Sequence, residues 1–213
     1  MKISGGIVEN GVVVGNTYNK YDTQNPIARL LMQNFDKDLT ALCEKTKPKS
    51  IHEIGCGEGF WVFHWLKRGI EARGSDFSAQ AINLARDNAI ANNIPSDIFS
   101  QKNIYELDPD HDGAELIVCC EVLEHLENPE AGLAALKSVP HKHLILSVPR
   151  EPLWCMLNLA RGKYISHLGN TPGHIQKWSS LNFINFVSQF FDVIEVRKPI
   201  PWTMLLCQPN KNK

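Results

Sequence analysis

The residues with the clearest chemical meaning form one glycine-rich run, Glu53-Ile54-Gly55-Cys56-Gly57-Glu58-Gly59-Phe60. Glycines at this spacing let the backbone turn tightly and approach a ligand closely. A helix that begins after such a loop directs free N–H groups at an anionic ligand group, such as a carboxylate or phosphate. A dinucleotide loop favours G-x-G-x-x-G, whereas this one is G-x-G-x-G. Glu53 would oppose a pyrophosphate and would suit a ligand with an ammonium group.

A second acidic residue, Asp76, follows the middle glycine, Gly57, by 19 positions and ends the predicted strand 71–76. An acid in this place can accept hydrogen bonds from both hydroxyls of a ribose. If the glycines served only to pack a strand against a helix, the accompanying Glu53 and Asp76 would have no explanation. The sequence therefore favours a ligand that combines a nucleoside with an amino acid over a nicotinamide dinucleotide.

These motifs resemble those of class I S-adenosylmethionine-dependent methyltransferases. The run from Glu53 to Phe60 resembles their motif I, and Asp76 resembles their ribose-binding acid. A later motif is similar to Leu116-Ile-Val-Cys-Cys-Glu-Val-Leu-Glu-His-Leu126. The resemblance covers residues 50–150 and implies S-adenosyl-L-methionine as cofactor and S-adenosyl-L-homocysteine as product.

The resemblance also implies which residues meet the cofactor. Phe77 and Ile104 would enclose the adenine, and Cys120 and Glu121 would border the sulfonium. Asn103 stands where relatives usually carry an aspartate that contacts adenine N6, and its amide oxygen can still accept that hydrogen bond. The implied cofactor-binding set, with one tyrosine from an N-terminal cap that also carries Tyr18, is Tyr21, Glu53, Gly55, Cys56, Gly57, Gly59, Phe60, Asp76, Phe77, Ser78, Asn103, Ile104, Cys120 and Glu121.

Two histidines are the candidates for contact with the methyl acceptor. His125 lies four residues after Glu121, so that on a helix the two would share a face, and its ring titrates near neutrality. His174 lies in Gly169-Asn-Thr-Pro-Gly-His-Ile-Gln-Lys-Trp178, which looks like a segment of quinone-biosynthesis O-methyltransferases. We predict a catalytic role for His174 and, after it, for His125. The alternatives are a structural helix start at His125 and a bond from His174 to a backbone carbonyl.

Two other functions stay open at this point. Small-RNA 3′-end methyltransferases hold a divalent metal with an E-x-x-E-H tract and a distant histidine, and Glu121, Glu124, His125 and His174 resemble that set. We nevertheless expect no metal, because E-V-L-E-H-L occurs widely without one, and no nucleic-acid partner, because the chain is not basic. A non-catalytic protein that keeps the cofactor pocket for regulation or assembly is the other alternative, which the intact glycines and acids disfavour.

The elements that position these residues alternate between strand and helix from residue 50 onward. Strands are predicted at 50–54, 71–76, 97–102, 115–120, 143–148, 192–196 and 203–207, and helices begin near Ile27, Gly59, Ser78, Pro129 and Ser180. Such βα units predict an α/β fold with a Rossmann-like, doubly wound, mostly parallel seven-stranded sheet. We treat 1–213 as one methyltransferase domain, with an N-terminal helical cap (1–46), a cofactor-binding core (50–148), a substrate-side insertion after the fifth strand (150–178) and a final helix and strands (179–207).

The insertion carries Leu153, Met156, Leu157 and Ala160 at helical steps, with Trp154 beside them and Arg161 and Lys163 behind. We expect this segment to form a substrate wall whose apolar face points into the cleft, so that the acceptor is a partly apolar small molecule or is lipid-like. A peripheral contact of residues 152–163 with a membrane surface and plain packing on the sheet are the alternatives.

The totals set broad limits. The chain has 213 residues, a formal net charge of −1 and 43% hydrophobic residues, all ordinary for a globular domain. Its beginning lacks the apolar core of a secretory signal, and no run is long enough to span a membrane. We therefore expect a cytoplasmic methyltransferase. The composition does not predict an oligomeric state.

Overall fold

The computed structural model describes residues 1–6, 8–9, 12–13 and 23–210. Tyr18 and Tyr21, which the sequence assigns to the cap, lie outside these residues. Two short strands, β1 (Val8–Glu9) and β2 (Val12–Val13), pair antiparallel. The first helix, α1 (Pro26–Thr46), begins after Asn25, whose side-chain oxygen accepts hydrogen bonds from two backbone N–H groups of the first turn, and so satisfies donors that the helix leaves free.

A seven-stranded sheet forms the centre of the molecule. Its strands are β3 (Ser50–Ile54), β4 (Glu71–Asp76), β5 (Phe99–Gln101), β6 (Leu116–Cys120), β7 (His143–Pro149), β8 (Phe191–Arg197) and β9 (Trp202–Pro209). They lie in the order β5-β4-β3-β6-β7-β9-β8. Only β9 among them runs antiparallel to its neighbours, β7 and β8. The predicted mostly parallel, Rossmann-like sheet is confirmed.

Five further helices flank the sheet: α2 (Phe60–Leu66), α3 (Ala79–Ala91), α4 (Pro129–Ser138), α5 (Leu153–Ala160) and α6 (Ser180–Val187). The side chains of Ser78, Asn128 and Ser179 accept backbone hydrogen bonds at the starts of α3, α4 and α6. These short polar residues stop the preceding segment and start the helix, which is why the sequence locates the helix starts well.

Two apolar clusters cover the two faces of the sheet. Successive side chains of a strand point to opposite faces, and β6 accordingly gives Val118 to the cluster under α1 and α2, and Ile117 and Cys119 to the cluster under α4 and α6. In α1, Phe35 and Leu39 are buried in the first cluster. The doubly wound arrangement therefore follows from strands that are apolar on both faces.

Some apolar residues at helical spacing are exposed in the structure. Ile27 and Leu30 of α1 and Ile90 of α3 are exposed, although the steps between apolar residues in these two helices are those of an apolar stripe. Helical spacing identifies a stripe, but the length of the surface it packs against decides how much of it is covered. None of the described helices is long and apolar enough to cross a membrane.

Candidate functional site

The glycine-rich loop lies at the carboxyl edge of the sheet, between β3 and α2. The N–H groups of Gly55 and Cys56 both donate to the backbone oxygen of Ser75, at 2.7 and 3.0 Å, which fastens the loop to β4. Gly55 has φ 79° and Gly59 has φ 85°, a region that side chains disfavour. A Cβ on Gly55 would lie 2.2 Å from Cγ2 of Val122, and a Cβ on Gly59 would lie 2.6 Å from the ring of Phe99. Both positions therefore require glycine for two separate reasons.

Asp76 is fixed by the loop that it faces. One carboxylate oxygen accepts from the Gly57 N–H at 2.9 Å and the other accepts from the Ser78 N–H at 3.0 Å. The carboxyl is buried. Each oxygen has a further lone pair, so that the group can hold the loop and also accept from a ligand's hydroxyls.

The rest of the predicted cofactor set divides into framework and edge residues. Glu53 is buried in β3 between Gly74 of β4 and Val118 of β6. Burial, and after it the Asp76 carboxylate, holds the pKa of the Cys56 thiol well above its usual value, so this cysteine is an uncharged packing residue. Ser78 is fully buried as the cap of α3, Ile104 is buried, and Phe77 and Phe60 are half-buried at the edge.

Asn103 acts locally in this structure. Its side-chain oxygen accepts from the N–H of Tyr105 at 3.2 Å, and the Glu106 carboxylate reaches back to the N–H of Asn103 at 3.4 Å. This reciprocal cap starts the short helical turn Ile104–Glu106. An aspartate, the usual residue of the relatives, would cap the turn equally well, so the cap does not distinguish the two residue types. The contact of Asn103 with adenine stays a prediction.

Glu121, just past the end of β6, is held by two other strands. Its carboxylate accepts from the Ser147 hydroxyl of β7 at 2.9 Å and from the Trp202 indole N–H of β9 at 2.7 Å. Its φ is 59°, an uncommon value for a residue with a side chain. Glu121 and His125 therefore do not share a helical face as expected, because the backbone at Glu121 is left-handed and the helical turn that contains His125 begins only at Leu123.

The two predicted histidines meet although they are far apart in sequence. The rings of His125 and His174 lie 4.9 Å apart, edge to face. The segment after His174 is fastened to the turn that carries His125, because the N–H groups of Ile175 and Gln176 donate to the backbone oxygen of Glu124 at 2.8 and 3.0 Å. One oxygen of the Glu124 carboxyl and one nitrogen of each imidazole lie within 4.8 Å of one another.

Burial keeps both imidazoles neutral. It lowers the pKa of His125, and it lowers the pKa of His174 to about 3, with a smaller contribution from His125 nearby. His125 Nδ1 lies 2.9 Å from the carbonyl oxygen of Gly173. A carbonyl can only accept, so Nδ1 carries the hydrogen and Nε2 keeps its lone pair. The hydrogen bond to a backbone carbonyl that was the alternative role of His174 is thus made by His125.

An aromatic path links this histidine pair to Glu121. The ring of Trp154 in α5 stacks on His174 at 5.7 Å and lies 5.9 Å from the ring of Trp202. The Trp154 indole N–H donates to the Thr171 hydroxyl at 2.9 Å. Trp202 is not among the sequence-predicted site residues, because nothing in its spacing connects a residue of the last strand to the exit of β6.

One surface depression lies away from these residues and another borders them. One of about 200 Å³ is at the opposite edge of the sheet, lined by Ser50, Glu71, Arg73 and Ala114 among others. Another of about 190 Å³ lies between α1 and α2 and includes Phe60. Ligands of doubly wound sheets bind at the carboxyl edge, so the loop and Asp76, not the first depression, mark the site.

Comparisons with known proteins show which proteins the chain is similar to. The family model described as a methyltransferase domain matches residues 19–193. Ubiquinone biosynthesis O-methyltransferase of Marinobacter nauticus is 27% identical over 122 residues, which cover 54% of this chain and 51% of that protein. The Alkalilimnicola ehrlichii protein of the same name is 28% identical over 124 residues, or 56% of this chain and 50% of that protein. The chain thus matches about half the length of these relatives.

Solved structures share the fold. Magnesium protoporphyrin IX methyltransferase from Synechocystis PCC 6803, with bound S-adenosylhomocysteine, superposes with a TM-score of 0.68 at 20% identity, covering 90% of this chain and 91% of that one. The methyltransferase domain of bacterial CtHen1 superposes with a TM-score of 0.65 at 20% identity, covering 84% of this chain and 99% of that one. At such identities, the likeness is one of fold.

Proposed function

We propose, from the membership of this chain in the methyltransferase domain family, that it methylates an oxygen atom of a small, partly apolar or lipid-like acceptor. The class I members of that family take the methyl group from S-adenosyl-L-methionine. One observation carries the proposal. The glycine-rich loop contacts the exit of β6 through Gly55 and Val122, and the turn that follows Val122 carries His125 against His174. Cofactor loop and histidine pair therefore share one edge of the sheet.

The residues around the glycine-rich loop suit both the ribose and the amino-acid part of the methyl donor. The Asp76 carboxylate, aimed by the Gly57 and Ser78 N–H groups, would accept from the ribose hydroxyls. Glu53 would attract the ammonium of the methionine part, and Tyr21, Phe77 and Ile104 keep the roles that the family resemblance implies. Methyl transfer is an in-line displacement, so holding donor and acceptor in line supplies much of the rate enhancement.

The acceptor end favours an oxygen atom beside an apolar group. The curated relatives are O-methyltransferases by name, and the stacked rings of Trp154 and His174 offer a flat apolar wall. With a pKa of about 3, His174 is a weak base, but its neutral ring can accept a hydrogen bond from an acceptor hydroxyl. As the oxygen bonds the methyl carbon and the carbon–sulfur bond breaks, the hydroxyl proton is released through this contact to water.

Calorimetry with S-adenosylhomocysteine tests the cofactor assignment. We expect a dissociation constant of micromolar or tighter, about −8 kcal/mol. Asp76→Asn, which keeps the shape but removes the charge, should weaken binding about 100-fold or more, since hydrogen bonds to a charged group contribute roughly 1.5–3 kcal/mol each. Asp87→Asn, an exposed carboxyl on α3, is the matched control. Binding of NADH without binding of S-adenosylhomocysteine would falsify the proposal.

A second candidate, metal-assisted methyl transfer such as RNA ribose 2′-O-methylation, is favoured by the cluster of Glu124, His125 and His174. The donors fit a cation: Glu124 is 1% exposed, and the bond from His125 to the Gly173 carbonyl is the kind that orients a metal-binding imidazole. Two imidazoles with one carboxylate suit Mn²⁺ or Zn²⁺ better than Mg²⁺. A cation there would supply a Lewis acid for an acceptor oxygen.

The fit is incomplete for the four-residue set that the sequence resembles. Glu121 is not in the cluster, because Ser147 and Trp202 hold its carboxylate. Metal-free transfer therefore stays the first proposal. Titration of the protein with Mn²⁺ and Zn²⁺, with His174→Ala as the comparison, distinguishes the two candidates.

A further inference from the structure

Helix α5 has its polar residue inside and apolar residues outside. Asn158 is 1% exposed, and its side-chain amide donates to the Gly169 carbonyl at 2.9 Å and to the Thr171 hydroxyl at 3.3 Å. Met156, on the same helix, is 62% exposed, and Leu159 is also exposed. A helix facing water normally shows the opposite pattern. The outward face of α5 is therefore built for contact with something other than water.

The turn after α5 extends this face. Ile165 and Leu168, the latter 79% exposed, bracket a short helical turn, and a Cβ on the next residue, Gly169, would lie 3.0 Å from Cγ of Leu159. Leu168 has φ 51°, a conformation that costs energy for a residue with a side chain. We call Met156, Leu159, Ile165 and Leu168 the apolar rim.

Positive charge accompanies the rim. Arg161 and Lys163 lie between its two halves and are exposed, as is Lys177. Residues 150–178 hold four Lys or Arg and one acidic residue, whereas the whole chain has a net charge of −1. That one acid, Glu151, is occupied locally, since its carboxylate accepts from the N–H and the thiol of Cys155. Exposed apolar side chains among cations match the boundary between anionic headgroups and acyl chains.

We propose that the apolar rim, with Arg161, Lys163 and Lys177, docks on an anionic lipid bilayer surface. A stable protein partner would need an interface of roughly 1,200 Å² or more, which four side chains on one short helix and one turn do not supply. A bilayer needs only insertion of a few apolar groups and attraction of a few cations, each of which contributes about 1 kcal/mol near an anionic surface.

The surface lies next to the proposed site. The opposite face of α5 carries Trp154, which stacks on His174, so the rim and the acceptor wall are separated by about one helix diameter, roughly 10 Å. A lipid-like acceptor in the bilayer would thus reach the histidine pair over a short path. That docking delivers a lipid-like acceptor rests on the proposed function. Docking on the bilayer is measured without turnover, so a failure of docking and a failure of methyl transfer can be told apart.

Vesicle sedimentation tests the proposal with the full chain. We expect binding to phosphatidylcholine vesicles that contain about one third phosphatidylglycerol, and little binding to pure phosphatidylcholine. Arg161→Gln with Lys163→Gln should lower the partition coefficient about 25-fold, about fivefold for each cation. Met156→Ser with Leu168→Ser should lower it at least about tenfold, since each loses a buried apolar side chain. Controls are Lys67→Gln with Arg68→Gln, and Ile90→Ser, which change exposed residues just after α2 and on α3.

The outcomes separate the alternatives. The proposal stands if both rim variants lose binding while their thermal unfolding and their affinity for S-adenosylhomocysteine stay those of the parent and the control variants bind normally. It fails if the parent does not sediment with anionic vesicles, or if rim and control variants sediment alike. It also fails if gel filtration shows a dimer that Met156→Ser with Leu168→Ser dissociates, because the rim would then bind a second copy of the chain.

Discussion

Replacing Gly55 with alanine should destabilise the protein through two separable effects. The φ of 79° costs a residue with a Cβ roughly 1–2 kcal/mol. The new Cβ would also lie 2.2 Å from Cγ2 of Val122, and overpacking of this kind typically costs about 1–3 kcal/mol. We expect a total loss of about 3 kcal/mol in the free energy of unfolding. Gly69→Ala is the matched control, because Gly69 has φ 76° but nothing within 4 Å of its Cβ position; it should lose about 1 kcal/mol.

Urea unfolding of a double-mutant cycle isolates the contact. Val122→Ala removes the opposing methyl groups, so Gly55→Ala should cost only about 1 kcal/mol in that background, an interaction energy of about 2 kcal/mol. The affinity for S-adenosylhomocysteine should fall in Gly55→Ala and partly recover in the double variant, since the same contact sets the loop. If Gly55→Ala and Gly69→Ala destabilise the protein equally, the loop does not approach Val122 as described, and the link between cofactor loop and β6 is lost.

Three other predictions concern the buried His52, the proposed acceptor-side His174 and the metal-assisted candidate. Burial lowers the pKa of His52 to about 4, so between about pH 6.5 and 4 the unfolded chain binds a proton that the folded chain excludes. His52 should therefore contribute a loss of up to about 3 kcal/mol in stability over that window and none above it, and urea unfolding across pH should show a fall that is smaller by this amount in His52→Gln. His174→Ala should lower turnover with little change in the calorimetric affinity for S-adenosylhomocysteine, and an equal loss in both would place this ring at the cofactor instead. Turnover should survive EDTA. If EDTA abolishes turnover and Mn²⁺ or Zn²⁺ restores it, the metal-assisted candidate is correct instead.

The pairing of Glu121 with Trp202 gives the exit of β6 a defined shape. Both oxygens of the carboxylate accept hydrogen bonds from β7 and β9, and the backbone at Glu121 is left-handed, with φ 59°. Strained backbone of this kind persists where the surroundings over-determine it and is common at functional sites. Glu121 is thus a structural support for the turn, and its position beside the sulfonium, which the family resemblance implies, stays a prediction.

Local chemistry in the sequence determined the fold and the cofactor loop. Strands that are apolar on both faces, caps such as Ser78 and Asn128, and glycines before α2 each act within a few residues, so the strand and helix order could be inferred without tertiary information. The same holds for the pairing of the loop with Asp76, since parallel strands bring their carboxyl ends to one edge. The predicted roles of the individual cofactor residues, including Tyr21, are still predictions.

The tertiary structure decided what surrounds the acceptor. His125 and His174 meet because backbone N–H groups after His174 donate to Glu124 and the His125 ring donates to the Gly173 carbonyl, contacts between segments with no common period. The i, i+4 expectation for Glu121 and His125 failed because helical spacing has meaning only where the backbone is helical. The exposure of Met156 could not be predicted either. Periodicity identifies the apolar stripe of α5 but does not show that the helix packs with Asn158 buried and Met156 exposed. Sequence spacing thus records local backbone preferences, whereas long-range packing determines which faces and distant side chains meet.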